Sequence, residues 1–73
     1  MDGGTMTIDY GTLLKMRRED LGYSQEDVAA IADVHRTTVI RAESGKSMTL
    51  GVFLSILHAL NLRIEVITDE NHK

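Results

Sequence analysis

The sequence predicts an all-α fold, a compact domain of four to five helices, with a short C-terminal β-strand that pairs across a dimer. Apolar residues recur at helical spacing through most of the 73 residues, and proline is absent. Capping residues and glycines divide the chain into helix-sized segments. The one stretch of strict alternation, LRIEV from Leu62 to Val66, has no second strand in the chain to pair with.

Length and composition define one small domain. We expect a flexible tail over residues 1–6, the helical domain over residues 7–61, a dimerisation strand over residues 62–68 and a flexible tail over residues 69–73. Cysteine is absent and the three histidines lack metal-ligand spacing, so no metal and no cofactor are expected. Because a core of this size supplies only about 3–5 kcal/mol, association of two chains is the expected source of further stability.

The composition also argues against several classes of protein. No stretch has the apolar length of a membrane span, and residues 1–7 lack the pattern of a signal peptide, so we expect a cytoplasmic protein without a membrane contact. No nucleophile–base pair, carboxylate pair or phosphate loop indicates an enzyme. The formal net charge of −3 disfavours binding to nucleic acid by overall charge, although a local basic face remains possible.

The first helix is expected to begin at Thr7 and to end before Gly22, where a positive φ costs little. Four residues mark its apolar stripe: Ile8, Leu13, Leu14 and Leu21.

The second helix begins at Ser24, whose hydroxyl caps the first turn while Asp27 completes a variant of the capping box. Small and apolar residues form its inner face: Val28, Ala29 and Ala32. Asp33 tolerates the left-handed conformation and is expected in a tight turn.

The third helix is predicted from His35 to Glu43, with Val39 and Ala42 facing inward, and Gly45 ends it. The fourth is predicted from Leu50 to about Leu60, with Thr49 as its cap and Asn61 as its left-handed terminator.

This fourth helix has two apolar stripes. One is assigned to the core: Leu50, Phe53, Leu54, Leu57 and Leu60. Because the domain can cover only one stripe, the other is assigned to a dimer interface together with two residues of the strand. The predicted interface residues are Val52, Ile56, Ala59, Ile64 and Val66.

The segment SQEDVAAIADVHRTTVIRAESGK, from Ser24 to Lys46, meets the requirements of a helix-turn-helix. Small residues lie where the two helices cross, Asp33 supplies the turn, and Val34 supplies an apolar plug. The outer face of the second of these helices is basic and hydroxylic, which suits a groove in DNA.

The same segment resembles the XRE/Cro-type helix-turn-helix of lambdoid phage repressors and many bacterial antitoxins. Its pattern is Ser-Gln-x-x-hydrophobic-Ala, a turn, and a helix ending Glu-x-Gly-Lys. The resemblance extends from Leu13 to about Leu60 and implies a Cro/lambda-repressor-like DNA-binding domain. It implies base contacts from Arg36, Thr37 and Arg41, and phosphate contacts from Ser24, Gln25, His35, Thr38 and Lys46. It also implies a structural pair between Arg18 and Glu43, and it leaves Ile31 and Ile40 as apolar residues at positions that are usually polar and exposed.

The tail LHALNLRIEVIT is similar to that of HipB-type antitoxins, whose dimers are closed by a small β-lid from both chains. That resemblance implies a HipA-like kinase toxin as a partner. The leading hypothesis is therefore a homodimeric repressor that binds double-stranded DNA at a pseudo-palindromic operator and serves as the antitoxin of a toxin–antitoxin pair. The alternatives are a free-standing XRE-family regulator and a protein-interaction module that has lost DNA binding.

Overall fold

The computed structural model describes residues 9–68, which contain four helices. They are α1 (Tyr10–Asp20), α2 (Gln25–Ala32), α3 (Arg36–Glu43) and α4 (Leu50–Ala59). The all-α class is confirmed within this range. Helix α1 begins three residues later than predicted, because Asp9 is its extended N-cap. The two predicted tails lie outside the described residues.

Residues 62–68 form no strand within the single described chain. A β-strand is defined by hydrogen bonds to a second strand, and residues 9–68 offer this segment none. The strand prediction therefore depends on a second chain.

The helix starts follow the capping chemistry predicted from the sequence. The Ser24 hydroxyl accepts a hydrogen bond from the Asp27 N–H at 3.0 Å, and the Asp27 carboxylate accepts one from the Ser24 N–H at 2.8 Å. At the start of α4, the Thr49 hydroxyl accepts from the Val52 N–H at 3.3 Å. His35 is the N-cap of α3, so that helix begins one residue later than predicted.

The four predicted helix terminators all adopt a left-handed backbone. They are Gly22, Asp33, Gly45 and Asn61, with φ of 77°, 58°, 77° and 59°. The turn at Asp33 lies between α2 and α3, where the chain changes direction.

The core combines side chains from all four helices. Its largest fully buried members are Leu14, Val28, Val39, Ile56 and Leu60. Helix α2 packs against both α3 and α4, and α1 packs against α3. The two helices of the helix-turn-helix are therefore packed against α1 and α4 on their inner sides.

The rotation of α4 differs from the prediction. Ile56 and Ala59, predicted at the dimer interface, lie in the core with 1% and 7% of their surface exposed, whereas Leu50 and Leu54 are 66% and 42% exposed. Because α4 is apolar around most of its circumference, its sequence pattern does not determine which side faces inward. The contact with α2 makes that choice.

Helix α1 lies against the end of α3 at Gly11. This glycine is buried, and a Cβ added to it would lie 2.9 Å from the Glu43 carbonyl carbon and 2.9 Å from the Gly45 nitrogen. Only a residue without a side chain allows the two backbones to approach this closely.

A carboxylate joins α1, α2 and α3. Glu43 accepts hydrogen bonds from Arg18 through Nε and, at 3.3 Å, through Nη2, and it accepts a third from Gln25 Nε2 at 3.1 Å. Arg18 Nη1 also donates to the Tyr23 carbonyl at 2.8 Å in the α1–α2 loop. The side chains of Arg18 and Glu43 are only 12% and 8% exposed, so this is a nearly buried ion pair.

The hydrogen bond to Glu43 raises the pKa of the Arg18 guanidinium above its ordinary value, against the opposing effect of desolvation. The Arg18 guanidinium therefore stays charged throughout the ordinary pH range.

Side chains of α1 contact α4 at both ends of the two helices. The ring of Tyr10 meets that of Phe53 edge to face, with centroids 5.3 Å apart and an interplanar angle of 78°. Near the carboxyl-terminal ends of the same two helices, Arg17 Nε donates a hydrogen bond to the Leu60 carbonyl at 2.9 Å. This hydrogen bond satisfies a backbone carbonyl that has no partner within α4, because it lies at the end of the helix.

Removal of Glu43 tests the ion pair. We expect Glu43→Ala to lower the free energy of unfolding by about 3–5 kcal/mol, because it leaves the Arg18 cation desolvated without a partner. Urea denaturation followed by circular dichroism measures the loss. The double variant Arg18→Met/Glu43→Leu is the matched control and should recover most of the stability. A loss below about 1 kcal/mol for Glu43→Ala would instead class the pair with exposed ion pairs.

Two glycine substitutions test the α1–α3 approach. Gly11→Ala should lower the free energy of unfolding by about 1–3 kcal/mol through overpacking, despite the better helix propensity of alanine. Gly51→Ala in α4 is the control, since nothing lies within 4 Å of the added Cβ. That variant should be neutral or stabilising by up to about 1 kcal/mol. Thermal unfolding compares the two, and equal effects would contradict the steric argument.

Candidate nucleic-acid interface

Helix α3 presents a polar outer face above a buried apolar one. Val39 and Ala42 are buried in the core, while Thr37 and Arg41, one turn apart, point to solvent. Arg36 is exposed at the start of the helix. The face that can enter a groove therefore carries two guanidinium groups and a hydroxyl, and none of the three residues belongs to the core.

The two ends of α3 carry further polar groups. At the amino-terminal end, His35 is exposed as the N-cap. At the other end, Arg41 Nη2 lies 3.4 Å from the Ser47 carbonyl, so this guanidinium extends towards the α3–α4 loop, where Lys46 is exposed. An α-helix with its side chains is about 10–12 Å in diameter, so α3 fits the major groove of B-DNA, which is about 12 Å wide.

The amino-terminal end of α2 lies beside the carboxyl-terminal end of α3, because Gln25 bonds to Glu43. The Gln25 amide uses one of its two N–H hydrogens for this bond, which leaves the second for a phosphate oxygen. Ser24 accepts the capping bond through its hydroxyl oxygen and keeps its O–H available to donate. The free N–H groups of the first turn and the helix dipole favour an anion at the same place.

Helix α3 has its acidic side chain on the inner side and its basic side chains on the solvent side. Its one acidic residue, Glu43, is turned inward and neutralised by Arg18, while Arg36 and Arg41 remain at the surface. An acidic chain thus keeps a locally basic helix face, and association depends on such a local distribution as well as on net charge.

The residues predicted to contact phosphates differ in exposure. Ser24, His35 and Lys46 are exposed, whereas Gln25 and Thr38 are half-buried. The expectation that Ile31 and Ile40 are both exposed is only half right. Ile31 is exposed, but Ile40 is half-buried beside the outer face of α3.

One contributor to this surface was missed by the sequence analysis. The Tyr10 hydroxyl donates to the Lys46 carbonyl at 2.9 Å and so fixes the loop that carries the Lys46 side chain. The two residues are 36 positions apart. No local pattern in a single sequence connects a tyrosine at a helix start with a distant loop carbonyl.

Other kinds of site find little support in the part of the chain that the structure describes. Residues 9–68 contain no group of His, Cys, Asp or Glu side chains able to hold a metal ion. An open groove of about 360 Å³ between α1 and α4 is lined mainly by apolar side chains: Tyr10, Ser47, Met48, Leu50 and Phe53. None of the helices in this range is long and apolar enough to span a membrane.

The chain is similar to a known protein family and to a solved structure. The helix-turn-helix family model matches residues 14–67, and it describes the XRE type. Among solved structures, the restriction-modification controller protein C.AhdI from Aeromonas hydrophila matches with a TM-score of 0.70 and 28% identity, over 77% of this chain and 86% of that protein. No curated protein matches the chain.

The family match covers most of the chain and includes all of α2 and α3, the elements that form the polar surface described above. The chain belongs to the XRE-type helix-turn-helix family and is a DNA-binding transcriptional regulator.

Proposed function

We propose that the chain is a homodimeric repressor that binds a pseudo-palindromic operator and reads its bases with α3. The observation that carries this proposal is the exposed face of α3, where Arg36, Thr37 and Arg41 take no part in the core. Two copies related by a two-fold axis would place two such helices about 34–36 Å apart, one turn of DNA.

Each proposed base contact has a chemical role. Arg36 and Arg41 can each donate two parallel hydrogen bonds to O6 and N7 of guanine. Thr37 can bond through its hydroxyl and place its methyl group against that of thymine. Arg41 lies nearest the α3–α4 loop, so it reads the end of the half-site on the Lys46 side.

The proposed phosphate contacts surround α3. His35 and Thr38 belong to its first turn, Ser24 and Gln25 to the start of α2, and Lys46 to the following loop. The dual use of the Gln25 amide supports its role most directly, because the bond to Glu43 orients a donor that a phosphate oxygen can accept.

The proposed dimer interface is revised by the burial of α4 residues. Ile56 and Ala59 belong to the core, Val52 is half-buried, and the exposed apolar residues of this helix are Leu50 and Leu54. A second chain that covers these two leucines and the exposed tail residues Ile64 and Val66 would remove an apolar patch from water.

Two biological roles are consistent with such a repressor. The sequence of the tail favours a HipB-like antitoxin with a HipA-like kinase partner. The likeness to a restriction-modification controller protein favours a controller of that kind, without a toxin. Neighbouring genes separate these roles: a HipA-like kinase gene supports the first, restriction and modification genes support the second, and neither supports a free-standing regulator.

Binding to selected and random DNA tests the operator proposal. Arg36→Ala should weaken binding to the operator, selected from random DNA, by about 1–3 kcal/mol and leave binding to random DNA less affected. Gln25→Ala should weaken both, because a phosphate contact carries no sequence information. Fluorescence anisotropy at fixed salt measures the affinities.

The control is Lys15→Ala, which removes one exposed positive charge from α1. It should leave the ratio of operator binding to random binding unchanged. Equal losses on both DNAs for Arg36→Ala would refute base readout by that residue. No binding of the unmodified chain to any DNA at low salt would favour the alternative of a protein-interaction module.

A further inference from the structure

The segment that follows α4 exposes apolar side chains to solvent. Ile64, Val66 and Ile67 are 48%, 92% and 81% exposed. Leu62 packs against the core, and its N–H donates to the Leu57 carbonyl at 2.8 Å. Because side chains alternate along a β-strand, Leu62, Ile64 and Val66 would share one face of a strand formed by this segment.

The opposite side of the same segment carries one charge of each sign. Arg63 Nη2 lies 3.6 Å from Glu65 Oε2, and both side chains are exposed. Within one chain such an exposed pair contributes little to stability. Opposite charges two residues apart form, however, a pattern that is complementary to itself when a second copy runs antiparallel.

We infer that the segments of two copies pair as antiparallel strands around a two-fold axis that passes between the two Ile64 residues. This inference rests on the proposed homodimer and names its register. In it, the two Ile64 side chains lie opposite each other and Leu62 lies opposite Val66 of the other copy. Each Arg63 lies opposite the Glu65 of the other copy, so both faces are matched.

Neighbouring registers lose this match. An axis through Arg63 places two guanidinium groups opposite each other, and an axis through Glu65 places two carboxylates opposite each other. An axis through Val66 sets Glu65 against Ile67. An axis between two consecutive residues pairs apolar side chains with charged ones, because a shift of one residue moves every side chain of one strand to the other face.

Directly opposed charges in a sheet favour pairing when they differ and oppose it when they are alike. Each matched pair changes the dimer Kd by up to about fivefold, and the two-fold axis supplies two such pairs. The charges therefore select the register, while the apolar residues provide most of the attraction.

Cysteine cross-linking of the full chain tests the register, and the chain contains no cysteine of its own. Opposed residues in antiparallel strands have Cα atoms about 4.5–5.5 Å apart, within the range of about 4.4–6.8 Å that a disulfide requires. Ile64→Cys should thus form a covalent dimer in oxidised glutathione several-fold faster than three matched variants. These are Arg63→Cys, Glu65→Cys and Val66→Cys.

A charge-reversal pair provides an independent test. Arg63→Glu gives a chain with two negative charges on this face, and Glu65→Arg gives one with two positive charges. Each variant alone should dimerise more weakly than the unmodified chain. Mixed in equal amounts, they should form the heterodimer in excess of the statistical proportion, as measured by native mass spectrometry.

Sedimentation equilibrium of the unmodified chain separates the two levels of the proposal. A monomer at all concentrations would overturn the homodimer and the register together. A dimer that cross-links fastest at a position other than 64, or a mixture without excess heterodimer, would overturn the register and leave the proposed function standing. A dimer with fastest cross-linking at 64 and excess heterodimer supports both.

Discussion

The carboxylate of Glu43 joins three of the four helices described in residues 9–68, and the geometry of the proposed DNA-binding surface depends on it. Arg18 binds it from α1, Gln25 binds it from α2, and Glu43 itself belongs to α3. Side chains in these positions cannot relax towards water, because the ion pair is almost fully covered. The angle between α2 and α3 is therefore held at two places, the left-handed turn at Asp33 and this carboxylate at the far end of α3.

This arrangement makes one residue serve stability and recognition together. Gln25 contributes a hydrogen bond to the fold through one amide hydrogen, and in the proposed function it donates the other to a phosphate. The core of such a small domain rarely supplies more than about 3–5 kcal/mol, so it is an advantage that a side chain with a role in binding also stabilises the fold. The proposed phosphate contact of Gln25 would be oriented before DNA binds, so little side-chain entropy would be lost on binding.

Much of the fold could be predicted from the sequence because its signals are local. A capping residue bonds to a backbone group three positions away, and a left-handed residue satisfies its own turn, so Ser24 and Asp33 are readable from a short window. The rotation of α4 could not be predicted, because an almost wholly apolar helix offers several equivalent faces, and contact with α2 decides among them. The close approach at Gly11 and the bond from Tyr10 to the Lys46 carbonyl depend on three-dimensional packing between distant segments. Of the candidate site, the outer face of α3 and the Arg18–Glu43 pair behind it were predicted by resemblance, whereas the supports from Gly11 and Tyr10 of α1 were not.

The division of α3 into a buried side and a solvent side has a consequence for how such a regulator can diverge. Thr37 and Arg36 face water and contribute nothing to the core, so most exchanges there should change the free energy of unfolding by no more than about 0.5 kcal/mol. The inner side, with Val39 and Ala42, has no such freedom. Duplicated copies of this gene could therefore acquire new operator sequences through substitutions at a few surface residues, while the core stays unchanged. Such substitutions would produce regulators with the same fold that do not bind one another's operators.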